Sequence, residues 1–181
     1  MVPPVEDCLD LLKKFRVPGH IVEHSRKVCE IAACLGRLLN LQGAGLDEAK
    51  ITAASWLHDI AKLDGLQSGE NHSTAGAELL KSLGFPEIAE IVRQHVVLDA
   101  DTFEGEIGEA VLVHYADKRV KHTAVVSLEE RFQDLKERYG THPAARQWLE
   151  DLEKSTKKLE GRIFGRLKIS PEILQSLVEG E

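Results

Sequence analysis

Apolar residues recur at intervals of three and four along almost the whole chain, the period of a helix that buries one face. Val28, Ile31, Leu35, Leu38 and Leu39 form one such stripe and predict a helix from about His20 to Leu41. A shorter one precedes it, from Val5 to Phe15, ended by Val17-Pro18-Gly19. After the break at Gly43-Ala44-Gly45, Asp47 is placed to cap a helix running to about Lys62, and a polar, glycine-bearing loop from Asp64 to Asn71 follows. Helices are predicted next at His72 to Leu83 and Glu87 to Leu98, with Gly84 as a stop and Pro86 as a first-turn residue. An acidic linker, Asp99 to Glu106, leads to a helix from Ile107 to Lys121. Ser127 can cap Leu128 to Arg138; Ala144 to Phe164 is charged, with apolar residues at Trp148, Leu149, Leu152 and Leu159. Ser170-Pro171 opens a last short helix. With no alternating strand pattern and no internal repeat, the expected class is all-α.

The 181 residues suit one domain, and 43% hydrophobic with 29% charged residues is ordinary for a globular chain. Acidic residues exceed basic ones, 30 against 23, so the formal charge of −7 has the wrong sign for a nucleic-acid polymer or an anionic membrane as partner. The three cysteines, Cys8, Cys29 and Cys34, contain no C-x-x-C and build neither a disulfide framework nor a thiolate zinc site. The opening MVPPVEDCLD lacks the charge and apolar run of a signal peptide, and no apolar stretch approaches the ~18 residues of a membrane span. A cytoplasmic protein is expected.

Eight histidines change the picture by where they fall. His24 lines up with Val28, Ile31 and Leu35; His58 with Ile51 and Ala54; His72 with Ala75, Gly76 and Leu79; His95 with Ile88, Ile91 and Val92. Asp117 shares a stripe with Ala110, Val113 and Val120. One histidine on an apolar face is ordinarily a satisfied core residue. Four of them with an inward carboxylate form a different set, because a buried carboxylate needs a cation or hydrogen-bond donors to offset its desolvation. Imidazole and carboxylate together suit zinc, manganese or iron. His58 and Asp59 point about 100° apart on a helix, so they grip one ion only where it sits at a seam between helices.

The segments HSRKV at 24–28, HDIAK at 58–62, HSTAGAELL at 72–80, IVRQH at 91–95 and YADK at 115–118 resemble the HD superfamily of metal-dependent phosphohydrolases. The order H…HD…H…H…D is matched in full, and the resemblance covers about Pro18 to Tyr139. It implies an all-α HD-domain helical bundle with its site in the core, over residues 18–140; both ends lie outside the resemblance, and helical periodicity there predicts an N-terminal helix (1–17) and a helical extension (141–181) packed on the same domain. Within the superfamily the chain is most similar to the symmetrical dinucleoside tetraphosphate hydrolase type. The residues after Asp117, KRVKHTAVVSLEERF, depart from that type. Val96 after His95 departs from the cyclic dinucleotide phosphodiesterase branch, where a further histidine stands.

The resemblance implies that His24, His58, Asp59 and Asp117 hold one divalent transition-metal ion (Fe, Mn or Zn), and that Asp59 bridges to a second held by His72 and His95. Two such ions can share a water, lower its pKa and present it to phosphorus. The implied activity is hydrolysis of a small phosphate ester or anhydride, a nucleotide being the expected substrate. The alternatives are a mononuclear nucleoside 5′-monophosphatase and a catalytically silent nucleotide-binding module. Lys62, one turn beyond His58, is either an ammonium for a phosphate or a solvated helix-end lysine. Arg93, Lys118 and Arg119 are weaker candidates for phosphate contacts. His20 and His114 fall one turn before His24 and Asp117; His122 and His142 read as surface residues. Asp64, Glu70 and Ser73 are placed to shape a mouth. The charged tail reads as a packing element or an oligomer contact.

Overall fold

The computed structural model describes residues 1–63 and 71–180. Helix α1 spans Val5–Lys14, α2 Gly19–Asn40, α3 Glu48–Leu57, α4 His72–Ser82, α5 Pro86–Arg93 and a short α6 Ala100–Glu104. Helix α7, Glu109–Asp117, leads into a two-stranded antiparallel hairpin of β1 (Val120–Lys121) and β2 (Ala124–Val125). Helices α8 (Leu128–Tyr139) and α9 (Pro143–Leu167) follow, then a 3₁₀ turn at Pro171–Ile173 and α10, Leu174–Glu179. The all-α class holds, and no described helix is long and apolar enough to cross a membrane.

Local chemistry sets the helix starts. Asp47 and Ser127 cap α3 and α8 by accepting from Lys50 N and Glu130 N, each at 3.1 Å, and Asn71 caps α4 by accepting from Ser73 N at 3.0 Å. Gly84, at φ +88°, ends α4 in a conformation that a side chain would strain. Asp64, Glu70 and most of the loop expected between α3 and α4 lie outside the described residues.

Three predicted helices end early, each for a visible reason. Helix α3 stops at Leu57 rather than Lys62, because Ile60 N and Lys62 N donate three residues back, to Leu57 O and Asp59 O, and wind the chain into tight turns. Helix α5 stops at Arg93 in the same way, with Gln94 N and His95 N reaching Ile91 O and Val92 O. The helix predicted to Lys121 stops at Asp117 and the hairpin takes over. Strands of two residues are too short to show alternation. Part of the acidic linker is itself the helix α6.

Two apolar clusters carry the packing. Val28, Ile31, Leu35 and Leu39 of α2 meet Leu112 and Tyr115 of α7, Phe132 of α8 and Leu159 and Ile163 of α9. Cys8 and Leu12 of α1, Leu57 of α3, Leu80 of α4 and Ile88 and Val92 of α5 form the other. Fully burying a leucine or valine contributes about 1.5–3 kcal/mol before chain entropy is charged against it. Helices α2 and α7 touch both α3 and one another, so a seam runs between the clusters. Gly76 helps close it: a Cβ there would lie 3.4 Å from Val92 and 3.5 Å from Ile60, so α4 seats directly against the turn that follows His58.

Candidate metal centre

The six residues of the H…HD…H…H…D pattern converge on that seam. His58 is the C-cap of α3, Asp59 follows it, His72 opens α4, His95 lies just past α5 and Asp117 ends α7. His24 comes in from the first turns of α2. Three helix C-termini therefore face the same region, and the negative ends of their dipoles favour a cation there.

Ligand atoms of His24, His58 and Asp59 lie within 4.8 Å of one another, as do those of Asp59, His72 and His95. Asp59 belongs to both groups, one oxygen to each. Its Oδ2 is 3.5 Å from His58 Nε2, while Oδ1 is 3.3 Å from His72 Nε2 and 3.6 Å from His95 Nε2. Asp117 Oδ1 joins the first group, 3.0 Å from His24 Nε2 and 3.7 Å from His58 Nε2. The His72 and His95 Nε2 atoms are 3.1 Å apart. Two donors about 2.1 Å from a shared ion, at 90–109°, stand about 3.0–3.4 Å from each other. The separations sit at that spacing or slightly beyond it.

Hydrogen bonding points the rings the same way. His24 Nδ1 donates to His122 O at 3.0 Å, His58 Nδ1 to Ser55 O at 2.8 Å and His95 Nδ1 to Val92 O at 2.7 Å. In a neutral ring each of these bonds leaves the Nε2 lone pair aimed into the cluster. His58 Nε2 and Asp59 Oδ1 are buried with no hydrogen-bond partner among the described residues. Buried acceptors that close repel unless a cation or proton lies between them. The donor set fits metal binding.

The electrostatics follow from burial and proximity. Burial works against ionising Asp59, but His58, His72 and His95 outweigh it and hold the carboxyl well below its usual range. Asp117 is likewise held low against its own burial, by Lys118, His24 and His58. Burial lowers His95 to about 4, which keeps it neutral. His58 is raised instead, because the carboxylates of Asp59 and Asp117 overcome its burial.

A cavity of about 690 Å³ opens over the cluster, with His24, Asp59, His72, His95 and Asp117 in its floor. Lys62 lines it and donates to Asp59 Oδ2 at 2.6 Å, so its ammonium stands between carboxylate and cavity. His20 also lines it. Lys118 reaches the wall but is 4% exposed, its Nζ donating to His95 O and Asp117 Oδ2, each at 2.8 Å. His114 is buried beneath, donating through Nδ1 to His95 O at 3.0 Å. Ser73 is buried against Asn71 Oδ1, at the start of α4.

Arg93 and Arg119, expected to contact phosphate, are held elsewhere. Arg93 pairs with Glu90 and Asp99 on the surface. Arg119 is 5% exposed and bonds Val126 O, Pro171 O, the Tyr115 hydroxyl and Glu160. The cations that line the cavity beside Lys62 and Lys118 are Arg131 and Arg138 of α8. His122 is exposed, as expected, and also lines the cavity; it holds His24 through its backbone carbonyl, an atom that residue identity does not reveal.

Comparison with known proteins agrees with this geometry. The HD domain family matches residues 21–119, more than half of the chain. A tRNA (cytidine(56)-2'-O)-methyltransferase of Thermoplasma volcanium is 28% identical over 145 residues, 70% of this chain; the match spans 41% of that relative's length. An uncharacterised protein of Methanocaldococcus jannaschii is 28% identical over 153 residues, 77% of this chain and 89% of its own. No solved structure matches. The five helix-borne elements that carry the site, from α2 to the end of α7, lie inside the matched region, and the chain belongs to the HD-domain family.

Proposed function

We propose that this protein is a metal-dependent phosphohydrolase that cleaves a small phosphate ester or anhydride, with a nucleotide as substrate. The observation that carries this reading is Asp59, whose two oxygens face two separate groups of imidazoles. His24, His58, Asp59 and Asp117 would hold one divalent ion, and Asp59, His72 and His95 a second. Bound there, such a pair supplies Lewis acidity towards phosphate oxygens and a water of lowered pKa.

The chain's own residues supply the rest. The carbonyls of His122, Ser55 and Val92 fix the imidazole planes. Lys118 occupies the outer oxygen of Asp117, leaving Oδ1 towards His24 and His58. Lys62 offers an ammonium at the cavity edge, where it stabilises the charge that gathers on phosphate oxygens as the leaving group departs. The seam buries Asp59 to 1% exposure and keeps bulk water from competing for it.

The tRNA substrate named for the Thermoplasma relative is not carried over, since a formal charge of −7 opposes binding a long polyanion. Phosphate release from nucleoside mono-, di- and triphosphates by Mn²⁺-loaded protein tests the reading. Turnover that disappears in Asp59→Asn and falls at least about a hundredfold in Lys62→Met is the expected result. Tight nucleotide binding without release from any phosphate compound would identify a silent binding module instead.

A further inference from the structure

One part of the cavity wall lies outside the family-matched residues. It is built by His122 of the hairpin, Arg131, Arg138 and Tyr139 of α8 and Trp148 of α9, all beyond residue 119. Two of these are large rings left open: Trp148 is 47% exposed and Tyr139 53%. Leu135, Leu149 and Leu152 add an apolar lining beside them.

The cations of this wall are held in place. Asp134 takes Arg131 Nη1 on one oxygen and Arg138 Nε on the other, both at 3.1 Å. Arg138 Nη2 also reaches His122 Nε2 at 3.1 Å, which ties α8 to the residue whose carbonyl holds His24. Arg131 Nε is buried with no hydrogen-bond partner among the described residues. Besides the cluster suited to cations and phosphate, the cavity therefore carries two fixed guanidinium groups and an aromatic and aliphatic lining.

We propose that α8 and α9 form the base-recognition wall of the site, with the ring of a nucleoside phosphate stacked on Trp148 and its phosphate towards Lys62 and the metal cluster. The inference rests on the phosphohydrolase reading and assigns the residues that read the base. A volume of about 690 Å³ suits a small ligand. A sugar phosphate would use the charged groups and leave the rings uncovered; a nucleobase has two flat π-faces, one for an indole and one for aliphatic side chains.

The test uses full-length Mn²⁺-loaded protein, the four ribonucleoside 5′-monophosphates, and ribose 5-phosphate as the base-free probe. The chain has two tryptophans, Trp56 and Trp148, so intrinsic fluorescence reports the seat directly. At least one nucleotide is expected to quench wild type and Trp56→Phe but not Trp148→Phe, while ribose 5-phosphate quenches none. Trp148→Ala is expected to raise the KM for that nucleotide about tenfold with kcat within about twofold, to leave ribose 5-phosphate unaffected, and to be largely rescued by Trp148→Phe. Quenching without turnover would retain the seat and reject hydrolysis. Turnover with no quenching by any nucleotide, or with equal KM changes for both kinds of substrate, would overturn the base-recognition wall while leaving the hydrolase standing.

Discussion

Lys118 shows how much one buried side chain does at this site. Its ammonium bridges the carbonyl of His95 and the outer oxygen of Asp117, and His114 shares that carbonyl. Lys118→Met removes both contacts, freeing the Asp117 carboxylate to turn and leaving the His95 carbonyl to His114 alone. The expected effect is metal affinity about 10- to 100-fold weaker in a calorimetric titration, with native circular dichroism retained; unchanged affinity would reduce Lys118 to a packing residue. At Cys8 and Cys29 burial leads, with the carboxylates of Asp7 and Glu30 adding to it. Their thiols are lifted to about 12 and about 11, so a thiol reagent at pH 8 should label neither until the protein unfolds. Which of these roles the sequence could reveal depends on what carries them. The stripe His24, Val28, Ile31, Leu35 is a periodicity and could be read directly. The role of His122 belongs to a carbonyl oxygen, placed by a two-residue turn with φ of 56°, and no pattern of side chains encodes it. The burial of Lys118 and Arg119 is equally hidden, because Glu160, the partner of Arg119, lies in a helix far along the chain.

Among the elements, the α8–α9 hairpin holds the cavity wall in place, and two clasps secure it. Tyr115 donates to Glu160 at 2.5 Å and Arg119 pairs with the same carboxylate at 3.0 Å, joining the end of α7 to α9. Glu160→Gln is expected to lower unfolding free energy by about 1–3 kcal/mol, seen as a lower denaturant midpoint at unchanged slope. Glu153 takes Lys136 of α8 at 2.5 Å and Lys157 of α9 at 2.6 Å. Its partial burial opposes ionisation, yet the two ammonium groups prevail and hold its carboxyl below 4.5. A lowered folded-state pKa stabilises the fold above about 4.5, and that contribution is lost as pH falls through the folded value. Unfolding free energies of wild type and Glu153→Gln should therefore differ above about pH 5, by no more than about 1 kcal/mol, and converge as pH falls through the lowered folded-state value; a difference that grows with acid would contradict the assignment. Helix positions were legible because burial imposes the 3.6 period, and Asp47 and Ser127 announced their caps. The early ends of α3 and α5 were not, since the tight turns that stop them have no marker residue and answer to packing at the seam. Nor did the short, charged-flanked stripe of α9 show that its first turns face a cavity.

Over the whole molecule, the two apolar clusters leave a seam in which buried imidazoles and carboxylates collect, under three helix C-termini. Such a seam is a liability without cations and a strong joint with them. Chelation should lower the thermal midpoint and re-addition should restore it, since ligand at a hundredfold its Kd contributes about 2.7 kcal/mol to a folded state that alone binds it. The central claim is that Asp59 joins two ion sites, and the most direct test is metal content per chain in anaerobically purified, Mn²⁺-loaded protein beside its His72→Ala variant. Two ions in the wild type falling to one in the variant is the result expected from the way Asp59 divides its oxygens. One ion in both, or none after loading, would contradict it.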